Sequence, residues 1–168
     1  MYPYNLKTKN TPIIAKERTR KNKTTTDLSA DRRLQELLQM ARREAAELEK
    51  KYAILLQEEA LKGAEDIIRT METDGKKHQR ILRELLFTIF SDTVEEILEE
   101  IEECEMEQKN TEELLEELLL QELDDIPFYR SLLESMEEGD LWNLLFEILT
   151  DKQNHAAALN HLYAKYMR

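Results

Sequence analysis

Apolar residues recur along most of this chain at alternating spacings of four and three, the repeat of a helix with one buried face. A first stripe reads Leu34, Leu38, Ala41, Ala45, Leu48, Tyr52 and Leu55. A second reads Ala64, Ile68, Met71, Gly75, His78, Leu82, Leu85 and Ile89. A third runs through Leu115, Leu118, Glu122, Asp125, Tyr129, Leu132 and Met136. A fourth runs through Leu141, Leu145, Ile148, Lys152, His155, Leu159, Leu162 and Tyr166. Five polar residues therefore stand where a core residue is expected: His78, Glu122, Asp125, Lys152 and His155.

The joints between stripes follow from their phase. Continued past Leu55, the first stripe would fall at positions 59, 62, 66 and 69, whereas the next apolar residues are at 64, 68 and 71. One unbroken helix would turn that face away from the core, so a tight turn is expected at Gln57–Lys62, with the segments on either side of it forming an antiparallel pair. The phase slips again between the third and fourth stripes, where Gly139 signals a turn and Asp140 is placed to cap the last helix. Ser29 or Asp31 is expected to cap the first. Pro127, within the third stripe, is expected to kink that helix or to start a shorter one. Residues 91–111 read as a long, partly helical crossover. Val94, Ile97, Leu98 and Ile101 lie on one side of it, and its many glutamates are expected to form a solvated face.

Composition supports long helices: 3 Gly and 3 Pro in 168 residues leave little for the turns of a sheet protein, and 36% of the chain is charged. Cys104 is the only cysteine, which excludes an internal disulfide and a Cys-x-x-Cys zinc site and points to a reducing compartment. The carboxylates around it disfavour a thiolate, so it is not expected to be a nucleophile. No apolar run approaches the ~18 residues of a membrane span and no signal peptide is visible, so a soluble, cytoplasmic protein is expected. The net charge is −12, but residues 1–26 oppose Lys7, Lys9, Lys16, Arg18, Arg20, Lys21 and Lys23 to Glu17 alone. Residues 1–28 are read as a disordered basic arm, and the acidic body disfavours nucleic acid as a partner.

The two halves repeat at an offset of 77 positions. The overlay pairs Leu38 with Leu115, Tyr52 with Tyr129, Ile68 with Leu145, Met71 with Ile148, His78 with His155, and Leu82 with Leu159. Each half reads Tyr, then His, with Asp74 or Asp151 four residues before the His. The expected architecture is all-α: residues 29–168 form a four-helix bundle of two repeated hairpins, 29–90 and 112–168, joined by the long crossover. The same overlay pairs Ala45 with Glu122 and Gly75 with Lys152, all on inward stripes.

At Asp151-Lys152-Gln153-Asn154-His155-Ala156, and more loosely at Asp74–His78, the chain resembles the ferritin-like, rubrerythrin-type bundles whose closing motif reads Asp-Glu-Gln-Asn-His-Ala. The resemblance implies a ferritin-like bundle in which each half offers one Glu from its first helix and a Glu-x-x-His from its second. Together these enclose two irons that react with oxygen or peroxide. Family members often dimerise or assemble further, which implies a homo-oligomer. At the six ligand positions this chain has Ala45, Gly75, His78, Glu122, Lys152 and His155, so three ligands remain and an ammonium replaces a carboxylate.

Three readings of that remnant differ in chemistry. In the first, Lys152 pairs with Glu122 and the histidines donate to neighbours such as Tyr129 or Asp125. Gly75 then makes room for Lys152, no cofactor is bound, and the bundle is a non-catalytic structural or interaction protein with a partner the sequence does not name. In the second, His78, His155 and Glu122 with Asp74 or Asp151 hold a single zinc, iron or manganese for oxidoreductase or metal-handling work. In the third, Glu44, Glu47 or Glu72 supplies the missing carboxylates of a diiron site. The count of inward carboxylates favours the first. Tyr52, Tyr129, Trp142, Met71 and Met136 are read as core packing, and His161, off the stripe, as a surface residue.

Overall fold

The computed structural model describes residues 25–90 and 109–167, with side chains from residue 31 onward. Among these all regular structure is helical. Four long helices form a bundle: α1 (Thr25–Leu55), α2 (Glu65–Ile89), α3 (Thr111–Glu134) and α4 (Asp140–Tyr166). None of them is long and apolar enough to cross a membrane.

The helix ends refine the expected boundaries. Helix α1 starts at Thr25 rather than at Ser29 or Asp31. The helix is already formed at Thr25, the first described residue, so neither Ser29 nor Asp31 caps it. The expected turn at 57–62 is present but longer: a single 3₁₀ turn at Glu59–Leu61 is followed by Gly63 at φ 95°. That left-handed conformation favours glycine and marks the joint where no proline does. Asn110 caps α3 through a capping box with Glu113: its side chain accepts from the Glu113 N–H and the Glu113 carboxylate accepts from the Asn110 N–H. Asp140 does not cap α4. Gly139 holds the cap position in extended backbone, and Asp140 is the first helical residue, where its charge suits the helix dipole. Helix α3 runs through Pro127 without ending, so no shorter helix starts there. Residues 25–28, expected in the basic arm, belong to α1, while residues 1–24 of that expected arm and residues 91–108 of the acidic crossover lie outside the described residues.

Helices α1 and α2 pack as one hairpin and α3 and α4 as the other, with further contacts of α2 on α4 and α1 on α3. Cross-hairpin pairs run in opposite order along the two partner segments. Lys51 and Tyr52 reach Gln121 and Glu122, whereas Glu58 reaches Thr111. His78 reaches Asp151, whereas Asp74 reaches His155. Both cross-hairpin contacts are therefore antiparallel.

The core divides into two apolar clusters. One gathers Leu38, Ala41, Leu82 and Leu85 with Tyr129, Leu132, Leu145 and Ile148. The other gathers Tyr52, Leu55, Ile68 and Met71 with Leu115, Leu118, Leu159 and Leu162. Moving 77 positions along the chain turns each set into the other, so the sequence repeat is realised as an approximate two-fold relation between the hairpins. Its axis passes between the clusters, where the five polar stripe residues lie.

Candidate functional site: a charged layer between two apolar cores

The residues at the ligand positions do converge. Ala45, Gly75, His78, Glu122, Lys152 and His155 line one gap in the middle of the bundle, together with Leu48, Tyr52 and Met71. The register of the overlay therefore holds in three dimensions. Glu44, Glu47 and Glu72 do not line the gap; all three are half-buried, and Glu72 pairs instead with Lys76 at 2.7 Å. Their positions on the helix turn them toward the flanks, away from the stripe that faces inward.

Lys152 occupies the centre. Its side chain is fully buried, and Nζ lies 2.7 Å from Asp125 Oδ2 and 3.2 Å from Glu122 Oε2. Asp125 is a second partner beyond the expected Glu122. It lies three residues after Glu122, one helical turn on, and so presents a carboxylate to the same ammonium. The contact with Glu122 is electrostatic only, because Oε2 has no hydrogen bond. The other oxygen of Glu122 is well supplied: the Tyr52 hydroxyl donates to Oε1 at 2.5 Å, and His155 Nδ1 lies 3.2 Å from it.

The histidines face aspartates, not Tyr129 or Asp125 as expected. His78 Nε2 is 3.0 Å from Asp151 Oδ2, and His155 Nε2 is 3.2 Å from Asp74 Oδ2. Each imidazole thus meets the aspartate of the opposite hairpin, because the antiparallel stagger of α2 and α4 places residue 74 level with 155 and 78 level with 151. Both ring nitrogens of His155 face carboxylate oxygens, which only accept; a doubly protonated ring satisfies both and a neutral ring one. Lys77, a residue the stripes do not single out, joins the two aspartates: its ammonium is 3.0 Å from Asp74 and 2.6 Å from Asp151. Its place on the helix, three residues after Asp74, was the available signal.

Burial and charge pull these groups in different directions. Burial is the strongest single influence on Glu122 and pushes its carboxyl up, but His155, Lys152 and Tyr52 together outweigh it and hold it below the usual value. For Asp125 burial wins over Lys152, and its carboxyl is raised. Asp151, pushed up by burial, is drawn down to about 2 by His78 and Lys77. Burial also lowers His78, more than Asp151 raises it. Tyr52 and Tyr129 are pushed well above the ordinary phenol value by burial, and next by Glu122 and Asp125 respectively. Neither phenol is poised to lose its proton.

Gly75 does not make room for Lys152. A Cβ built on it would lie 3.2 Å from Glu49 Cβ and 3.4 Å from Glu49 Cα, so the glycine lets α2 approach α1 within the hairpin. Of the remaining candidates, His161 is exposed as expected, and Trp142 is half-buried and stacks on Phe146.

These residues do not fit a metal. Among the described residues no group of three or more His, Cys, Asp and Glu is arranged to hold one. The buried oxygen of Glu122 that lacks a hydrogen bond points to an ammonium already in place, and the gap has no room for a water-sized sphere. What the layer can do is pair charge: Lys77 and Lys152 face Glu122, Asp125, Asp74 and Asp151 across both hairpins, and the two imidazoles stand within hydrogen-bond distance of Glu122, Asp74 and Asp151. No protein-family model, curated protein or solved structure matches this chain.

Proposed function

We propose that this chain is a ferritin-like bundle that has lost most of its diiron ligands and serves as a non-catalytic structural or interaction protein. One observation carries the reading: the Lys152 ammonium stands between Glu122 and Asp125 where the two repeats cross. A metal ion in the same space would meet a fixed positive charge. At ~4 Å and an effective dielectric near ~20, each unit of that repulsion is on the order of 4 kcal/mol. The reciprocal pairing of His78 with Asp151 and of His155 with Asp74 also supports the reading, since it commits both imidazoles to carboxylates.

Elemental analysis of protein purified without chelator, then incubated with iron, manganese or zinc, tests this directly. Metal well below one per chain is expected, with no absorbance band between about 300 and 400 nm of the kind that ligand-to-metal charge transfer gives. One or more tightly held metals per chain, lost on combining His78→Ala with His155→Ala, would overturn the reading.

A further inference from the structure

The chain passes from the end of α2 to the start of α3 through residues 91–108, and the points it must join are at opposite ends of the bundle. Phe90 packs against the same apolar cluster as Leu34 and Leu37 at the start of α1 and Leu141 and Trp142 at the start of α4. At the other end, the Thr111 hydroxyl donates to Glu58, just past α1, at 2.5 Å, and the Tyr163 hydroxyl of α4 donates to Glu112 at 2.9 Å. The distance to cover is that from Leu34 to Glu58, about 36 Å at the helical rise. Residues 91–108 reach ~60 Å extended and ~27 Å as one helix, so a partly helical segment makes the passage along a single neighbouring helix. Two helices run between these ends and pack on both α2 and α3: α1 and α4.

Charge separates the two paths. Residues 91–108 hold Asp92 and eight glutamates and no base. The exposed acids and bases of α4 are Asp140, Glu147 and Lys165, a net negative set. From residue 31 to its end, α1 exposes Arg32, Arg33, Glu36, Met40, Arg43 and Ile54, all on the side opposite the core stripe. Arg32 lies 3.1 Å from Glu36, so Arg33 and Arg43 give this face its positive sign. Met40 is 42% exposed and Ile54 39%, and their 14-residue separation, close to four whole turns, puts them on the same side. The segment has a matching edge: Val94, Ile97, Ile101 and Cys104 recur at spacings of three and four with glutamates between them. Phe146 offers apolar surface on α4 as well, so it is the sign of the charge that favours α1.

We infer that residues 91–108 dock along the outer face of α1, with Val94, Ile97, Ile101 and Cys104 toward Met40 and Ile54 and the flanking glutamates beside Arg33 and Arg43. The occupant of this face is the chain itself. The docked segment ties the two hairpins together from outside, independently of the charged layer between the cores and of whether that layer holds a metal.

The chain's one cysteine tests this. Cys104 lies toward the α3 end of the segment, which brings it level with Ile54. Full-length Ile54→Cys is equilibrated in a glutathione redox buffer at low micromolar protein, and the intramolecular disulfide is read by non-reducing electrophoresis and mass. Ala157→Cys is the comparison, an exposed position of α4 at a similar level, since Tyr52 and His155 meet on Glu122. The effective concentration of the thiol pair is expected to be at least about tenfold higher in Ile54→Cys than in Ala157→Cys. Adding Arg33→Glu and Arg43→Glu to Ile54→Cys is expected to lower it several-fold, with an unchanged helical circular-dichroism spectrum because both sites are exposed. Equal or readier closure in Ala157→Cys overturns the proposal, as does closure in neither variant, the result if another protein covered the face. Closure indifferent to the arginine reversals overturns it too.

Discussion

Asp151 on α4 stands 3.0 Å from Nε2 of His78 on α2, so the aspartate of one hairpin serves the histidine of the other. The relation is reciprocated at 3.2 Å by Asp74 and His155, and the Lys77 ammonium bridges the two aspartates. The charged layer therefore ties hairpin to hairpin, while the apolar clusters on either side supply the bulk of the burial.

That tie titrates. The Asp151 carboxyl is held at about 2 against an ordinary 3.8: burial pushes it up, and His78 and Lys77 together outweigh burial. A depressed folded value means that the unfolded chain takes up the proton first. The stabilisation is full above pH 3.8 and is lost as pH falls through about 2. Discounted for partial exposure, it is about 1 kcal/mol. His78, lowered from 6.5 by burial, acts in the same direction, its contribution declining as pH drops below 6.5. Asp151→Asn should be less stable than wild type near neutral pH, with a gap that closes in acid; denaturant melts across that range measure it. A gap that did not change with pH would mean that Asp151 acts by shape alone.

Removing the central ammonium should be far more costly. Lys152→Met leaves Glu122 and Asp125 buried with their main cation gone, and a loss of about 3–5 kcal/mol is expected. Adding Glu122→Gln and Asp125→Asn to the same chain should recover most of it, because the buried charges leave together. Urea unfolding midpoints distinguish this from a simple packing defect, for which the added changes would give no recovery.

Tyr52→Phe deletes the 2.5 Å donor to Glu122 and leaves the ring in place. A hydrogen bond to a buried carboxylate contributes about 1.5–3 kcal/mol, and the variant should lose stability within that range. A neutral result would show that the Glu122 oxygen is satisfied without it.

Gly75→Val sets a branched side chain against Glu49, where even a bare Cβ is at 3.2 Å. The overpacking should cost about 2 kcal/mol, in spite of the poor helix propensity of the glycine it replaces. Restoring acids by Ala45→Glu, Gly75→Glu and Lys152→Glu together would incur the same crowding. Thermal melts of the single and triple variants would expose it.

Much of this was legible in the residues themselves. Spacing located the four helices, the 77-residue offset brought Ala45, Gly75, His78, Glu122, Lys152 and His155 together, and the pairing of Lys152 with Glu122 followed from facing stripes. What periodicity does not encode is the stagger between helices. The spacing of Asp74 and Asp151 from their own histidines suggests partners within a helix, yet α2 and α4 are aligned so that each aspartate meets the opposite ring. Gly75 was misread for the same reason, since its neighbour is a backbone-proximal atom of Glu49. Lys77 lies off the stripes and so is not singled out by them, and Asp125, though on a stripe, is expected to serve the histidines and instead meets Lys152.

The charged layer between the two clusters also sets alignment. Apolar side chains tolerate sliding, since leucine meets leucine much as well one turn along. Lys152 does not: displacing one hairpin by a helical turn, about 5.4 Å, would carry its ammonium away from Asp125 and into hydrocarbon. A polar centre that adds little net stability can thereby hold two similar hairpins in a single register.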